Sequence, residues 1–145
     1  MAILSTLFTN KVFLAVLLGA VVAQLIKIHF LVIKPRQKVS IKDIFLTGGM
    51  PSSHSAIVSS LTAIIWLTEG FSSLFFVMLA LAGIIIRDAM GVRRTAGEEG
   101  KVINQIIKKT KLKIPEKHFA MGHTPEEVLV GVIIGVLSAV LVYFL

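Results

Sequence analysis

The sequence predicts an all-α integral membrane protein, a bundle of about four transmembrane helices with a basic cytoplasmic loop region. Three observations predict it. Hydrophobic residues make up 55% of a 145-residue chain whose formal net charge is nonetheless +7. Apolar runs stand out at roughly 12–33, 52–69, 71–87 and 125–145, forming one membrane domain over 1–145; a span needs about 20 apolar residues. Fourteen of the fifteen Lys and Arg residues lie between 27 and 42 or between 87 and 117, with only Lys11 elsewhere. Apolar and basic together describe a membrane protein whose charges sit in its loops.

The first run, Val12 to Ile33, is interrupted by Gln24, Lys27 and His29, and Gln24 and Lys27 share a helix face. A basic connector follows, Lys34-Pro35-Arg36-Gln37-Lys38 and then Lys42, ending in Gly48-Gly49. Those glycines free the backbone for a tight turn. Pro51 is expected at the first helical position, with Ser52 and Ser53 at the positive end of the helix dipole. The second run ends at Glu69-Gly70 and carries Ser59 and Ser60, small residues suited to helix contact. Phe71 opens the third run after almost no loop, so the two are antiparallel neighbours.

After Arg87 the chain turns polar. Val102 to Ile107 reads as a short amphipathic helix, and Lys108, Lys109, Lys111, Lys113 and Lys117 read as a headgroup-facing or solvated cluster. The last helix has Thr124 as N-cap, Pro125 at its first position and Glu126 and Glu127 in its first turn. Gly131 and Gly135 form a Gly-x-x-x-Gly pair for close helix contact.

With four spans the two basic regions fall on one side, and the positive-inside rule makes that side cytoplasmic. Both termini and the Glu69-Gly70 hairpin then face outward. Three polar motifs, at Pro51–His54, Arg87–Arg94 and His123–Glu127, therefore converge at the cytoplasmic face. The cell (plasma) membrane is the expected location, and no nucleic-acid partner is expected. The absence of cysteine excludes disulfides, thiolate nucleophiles and cysteine-ligated metals. No cleaved signal peptide is read at the N-terminus.

The converging groups suit phosphate chemistry. His123 and Glu127 are four apart on a helix start, so the carboxylate can fix the imidazole tautomer and leave its other nitrogen as nucleophile or base. His54 offers a second proton carrier. Arg87, Arg93 and Arg94 are fork donors for phosphate oxygens. Such a set needs no metal, since preset cations stabilise the charge. The alternative is that Asp88, Glu98, Glu99 and Glu127 hold Mg²⁺.

Pro51-Ser52-Ser53-His54 and His123-Thr124-Pro125-Glu126-Glu127-Val128-Leu129-Val130-Gly131 are similar to the Pro-Ser-Gly-His and His-x-x-x-Asp-Val-x-x-Gly motifs of one superfamily. The chain resembles the membrane-bound type 2 phosphatidic acid phosphatases and vanadium-dependent haloperoxidases. It resembles most closely their small divergent branch of acid-phosphatase-related membrane proteins, through Gly48–Ala56, Asp88–Arg94 and Gly122–Pro125. The resemblance runs from about Gln24 to Gly135. It implies His123 as the nucleophile forming a phosphohistidine, and Glu127, in place of the family's aspartate, as its orienting partner. It implies His54 as the acid for the leaving group, with Ser52 and Ser53 donating to the phosphate.

The chain departs from the parent pattern. Ser53 replaces a glycine, Lys27 and Lys34-Pro35 only loosely echo a Lys-x6-Arg-Pro motif, and Glu116-Lys117 stand where Ser-Arg is usual. Arg87, Arg93 and Arg94 are expected to supply the missing cations. The parents generally have six spans, so a homodimer completing the bundle is also expected. The resemblance implies a metal-independent membrane phosphatase acting on a lipid or isoprenoid phosphate monoester or diphosphate. The alternative is a non-catalytic membrane protein, either a small transporter or a scaffold that binds lipid phosphate.

Overall fold

The computed structural model describes residues 7–33, 48–110, 114–115, 119 and 121–145. The connector from Lys34 to Lys42, and Lys111, Lys113, Glu116 and Lys117, lie outside the described residues. Five helices carry the fold: α1 (Lys11–Ile33), α2 (Ser53–Glu69), α3 (Ser73–Met90), α4 (Val92–Thr110) and α5 (Pro125–Phe144). No strand occurs among the described residues. The three helical segments beginning at Lys11, Ser73 and Pro125 are long and apolar enough to cross a membrane. Their outer faces stay apolar and uncovered, with Leu25, Val77, Ile84, Leu129 and Leu137 all well exposed. An apolar belt of that kind belongs against lipid.

α2 is different. Its 17 residues reach about 25 Å, short of the roughly 30 Å hydrocarbon core, and it occupies the interior between α1, α3 and α5. Its buried positions include Ser55, Ser59, Ser60 and Thr62. Thr62 Oγ1 donates back to the Val58 carbonyl at 2.8 Å, and Ser60 Oγ to Ile57 at 3.2 Å. These hydroxyls are satisfied locally, so small polar residues can line the helix contacts without leaving orphaned groups.

Close packing follows from that choice. A Cβ on Gly131 would strike the Ser52 carbonyl, and one on Gly135 would strike the Ala56 carbonyl. α5 therefore runs along α2 nearly backbone to backbone, and the Gly-x-x-x-Gly pair is the reason. On the other flank a Cβ on Gly19 of α1 would stand 3.3 Å from the Ser60 side chain. At the far end Ala15, Ile64, Ile65, Met78, Ala139 and Val142 form an apolar cluster. Lys11 Nζ reaches the Tyr143 carbonyl there at 2.8 Å, so the two ends of the chain share one side of the bundle. The α2–α3 hairpin turns at that same end, with Gly70 at φ +68° and Trp66 near Phe71, ring centroids 6.3 Å apart.

Two local expectations are corrected. Pro51 is not the first helical residue: Ser52 is the N-cap, accepting from Ser55 N–H at 3.3 Å, and Pro51 precedes it behind a cis Met50–Pro51 bond. The short amphipathic helix expected at Val102–Ile107 is the C-terminal half of a 19-residue helix starting at Val92. Gly97 and Gly100 do not break it because both are buried, and Phe119 packs on Gly100 where a Cβ would collide.

The α2–α5 contact yields a direct expectation. Gly135→Leu should destabilise the bundle by several kcal/mol, beyond the roughly 1–3 kcal/mol of ordinary overpacking, because the obstacle is backbone. Thermal unfolding in detergent should show a markedly lower Tm. An unchanged Tm would mean the helices do not approach this closely.

Candidate active site

The end of the bundle opposite the termini gathers the start of α2, the end of α3, the start of α4 and the start of α5. The segment leading into α5 is pinned from several directions. His123 N–H donates to the Ala89 carbonyl at 2.9 Å, which is free because the helix breaks after Met90. Gly122, at φ +62°, lies against the backbone of Arg93 and Arg94 too closely for any side chain. Gly48 and Gly49, at φ +119° and +81°, turn the chain beside it. The predicted cap on α5 is present: Thr124 Oγ1 accepts from Glu127 N–H at 3.4 Å, and Pro125 stands in the first turn.

Glu127 joins this cap to the histidine. Its Oε2 accepts from Thr124 N–H at 3.1 Å and lies 3.0 Å from His123 Nδ1. Its main-chain carbonyl accepts from Ser52 N–H at 3.0 Å, tying the two sequence motifs together. His123 is only 3% exposed. Its Nε2 is the one buried side-chain polar atom without a hydrogen-bond partner among the described residues. With Nδ1–H donating to Glu127, Nε2 carries the free lone pair.

Beside the pair lies a cavity of about 240 Å³, lined by Gly49, Arg94, Glu98, Lys101, Met121, Gly122, His123, Thr124 and Glu127. Of the residues singled out from sequence, His123, Glu127 and Arg94 line it, with Glu98 from the alternative metal set. Lys27 is buried on α1, near Gly49, and its charge acts on both Glu127 and His123. His54 stands exposed in the first turn of α2, within electrostatic reach of His123 and Arg93.

The others are placed differently. Ser52 is fully buried, and its Oγ accepts from the Ser55 hydroxyl at 2.9 Å, so it serves the cap. Ser53 donates to Gln24 Oε1 at 3.4 Å. Arg93 pairs with Asp88 at 2.7 Å, and Arg94 with Glu98 at 3.1 Å. Arg87 is exposed in the last turn of α3, and Glu99 is exposed on α4. Neither lines the cavity. No three His, Asp or Glu side chains converge on a metal-sized site among the described residues.

Lys101 was missed. The signal that could have found it is its register, since Arg94, Glu98 and Lys101 follow at four- and three-residue steps on one helix stripe. Gly49 and Thr124 complete the lining and supply backbone and hydroxyl groups.

A small helical membrane bundle with an oriented, half-armed histidine at one mouth is the class of protein these features define. The model of the Divergent PAP2 family matches residues 8–138, and the chain belongs to that family. The "Uncharacterized membrane protein YuiD" of Bacillus subtilis (strain 168) is 38% identical over 158 residues, covering 95% of this chain and 98% of that protein. No solved structure matches significantly.

Burial pushes the His123 pKa below the ordinary imidazole range, and the Lys27 charge adds to that lowering. The hydrogen bond and charge of Glu127, and the Gly49 backbone, pull it back only in part. The neutral ring, which holds the Nε2 lone pair, therefore persists below about pH 6.5. If His123 is the group that must be neutral, the acid limb of kcat/KM falls below that value. Glu127→Gln removes the attraction that raises the pKa, so the limb moves lower still. A limb above about pH 6.5, or one that Glu127→Gln moves upward, would contradict this.

Proposed function

We propose that the protein is a membrane phosphatase that hydrolyses a lipid-linked phosphate monoester or diphosphate through His123. The observation that carries the reading is the His123–Glu127 pair at 3.0 Å, with a buried, unpartnered Nε2 beside a cavity lined by Arg94 and Lys101. Membership of the Divergent PAP2 family supports a relation to phosphatases. A catalytic centre set in an integral membrane bundle selects an amphipathic substrate, a lipid or isoprenoid phosphate.

The Nε2 lone pair forms a bond to phosphorus while the bond from phosphorus to the leaving oxygen breaks. His54 gives that oxygen its proton. Water then attacks the phosphohistidine and passes a proton to His54; the N–P bond breaks and its electron pair returns to Nε2. Glu127 holds the tautomer and stabilises the charged ring. We assign to Arg94 and Lys101, which line the cavity, the stabilisation of charge on the phosphoryl oxygens, with Lys27 buried near Gly49 adding its field. Asp88 pairs with Arg93 and Glu98 with Arg94; we assign the charge neutralisation to the protein's own cations, with Lys101 beside the Arg94–Glu98 pair in the lining.

One observation favours a second reading. Glu127 also closes a capping box, so the pair could serve only as a helix cap in a small transporter or a lipid-phosphate-binding scaffold. Phosphate release from a panel of lipid phosphates separates the two. His123→Ala should lower turnover by several orders of magnitude in a folded protein. Glu127→Gln should lower it about 10²- to 10⁴-fold. Turnover should survive EDTA and fall with vanadate, which imitates five-coordinate phosphorus. Near-full activity in His123→Ala would remove the assignment; loss on chelation, restored by Mg²⁺, would replace the mechanism with a metal-dependent one.

A further inference from the structure

α4 has two unlike sides, and the candidate site uses only one. Arg94, Glu98 and Lys101 face the cavity, and Gly97 and Gly100 are buried, with Phe119 packed on Gly100. Along its length α4 meets the segment entering α5, with Arg94 against Gly122 and Gly100 against Phe119. Its opposite side is open and, apart from Glu99 in line between Val92 and Ile103, apolar. Val92, Val102, Ile103 and Ile106 are each about half exposed or more, and Ile114 extends the same surface. A groove of about 480 Å³ between Ile103, Ile106, Ile107 and Ile114 continues it.

We infer that α4 lies in the plane of the membrane, with this apolar stripe seated in the headgroup–acyl boundary of an anionic leaflet. Two observations select lipid as the occupant. The first is continuity: a single residue, Gly91, separates α4 from the apolar, span-length α3, so α4 starts at the membrane edge. The second is charge. α4 carries Arg93, Arg94, Lys101, Lys108 and Lys109 against Glu98 and Glu99, five cations to two anions, a net +3. Strong amphipathicity, low overall hydrophobicity and a lysine- and arginine-rich polar face are the marks of an interfacial helix, and anionic headgroups attract such a face. The consequence is positional. A helix that rests its apolar stripe on the bilayer and lines the cavity with its polar stripe holds His123 at headgroup depth.

The chain has no cysteine, so single-cysteine variants report without background. Ile106→Cys and Gln105→Cys, one residue apart on different sides of α4, would each carry an environment-sensitive fluorophore. The full-length protein would be reconstituted in vesicles of phosphatidylcholine with or without phosphatidylglycerol. The Ile106 label should emit at shorter wavelength, resist aqueous iodide and be quenched by spin-labelled acyl chains. The Gln105 label should be quenched by iodide. Replacing Lys108 and Lys109 with glutamate should weaken the Ile106 protection in the anionic vesicles. Equal iodide quenching at both positions would overturn the inference. So would protection at Ile106 that comes with disulfide cross-linking between copies and vanishes on dilution in lipid, which would make the occupant a second copy of the chain.

Discussion

The close run of α5 along α2 is the contact on which the rest of the molecule depends. Without side chains at Gly131 and Gly135, α5 settles against the Ser52 and Ala56 carbonyls. That approach is also what lets Ser52 N–H reach the Glu127 carbonyl at 3.0 Å. In lipid there is no hydrophobic drive to bring helices together, so small residues and backbone contact must do it. The same contact sets the relative height of the two motif-bearing helix starts. A one-turn slip of α5 would move Glu127 by about 5.4 Å and separate the histidine from the cavity.

His123 is held by more constraints than a helix cap needs. Its N–H is tied to Ala89, its Nδ1 to Glu127, and the glycine before it is wedged on Arg93 and Arg94. A buried polar atom is ordinarily hydrogen-bonded, and every other buried side-chain polar atom among the described residues is. Leaving Nε2 unpartnered works against stability by the desolvation of one acceptor, about 1–3 kcal/mol. His123 lines the cavity together with Arg94 and Lys101, and the proposed function rests on that arrangement.

Much of this was legible in the chain, and the reasons differ by element. Local chemistry was readable: Thr124-Pro125 caps α5, Glu69-Gly70 turns the α2–α3 hairpin, and His123 meets Glu127 one turn on. So was the meeting of the motifs at one end, because the spacing of the apolar runs dictates it. The helix expected at Val102–Ile107 proved to start at Val92, through Gly97 and Gly100, residues of low helix propensity. Gly100 fits inside the helix because Phe119 occupies the space above it, a tertiary requirement that no local window contains. Lys101 was hidden for the same reason, as its place in the cavity depends on α4 continuing past those glycines. Ser52 and Arg93 were legible as near the site but not in their partners, a cap and Asp88 respectively.

The central claim is that the free Nε2 of His123 attacks phosphorus. It is tested most directly by quenching turnover within its first cycle and locating the phosphate on the protein by mass spectrometry and 31P NMR. The account predicts an acid-labile, base-stable phosphate on His123, bonded at Nε2 because Nδ1 is held by Glu127, and absent from His123→Ala. Turnover without any phosphorylated histidine, or a phosphate bonded at Nδ1, would contradict it.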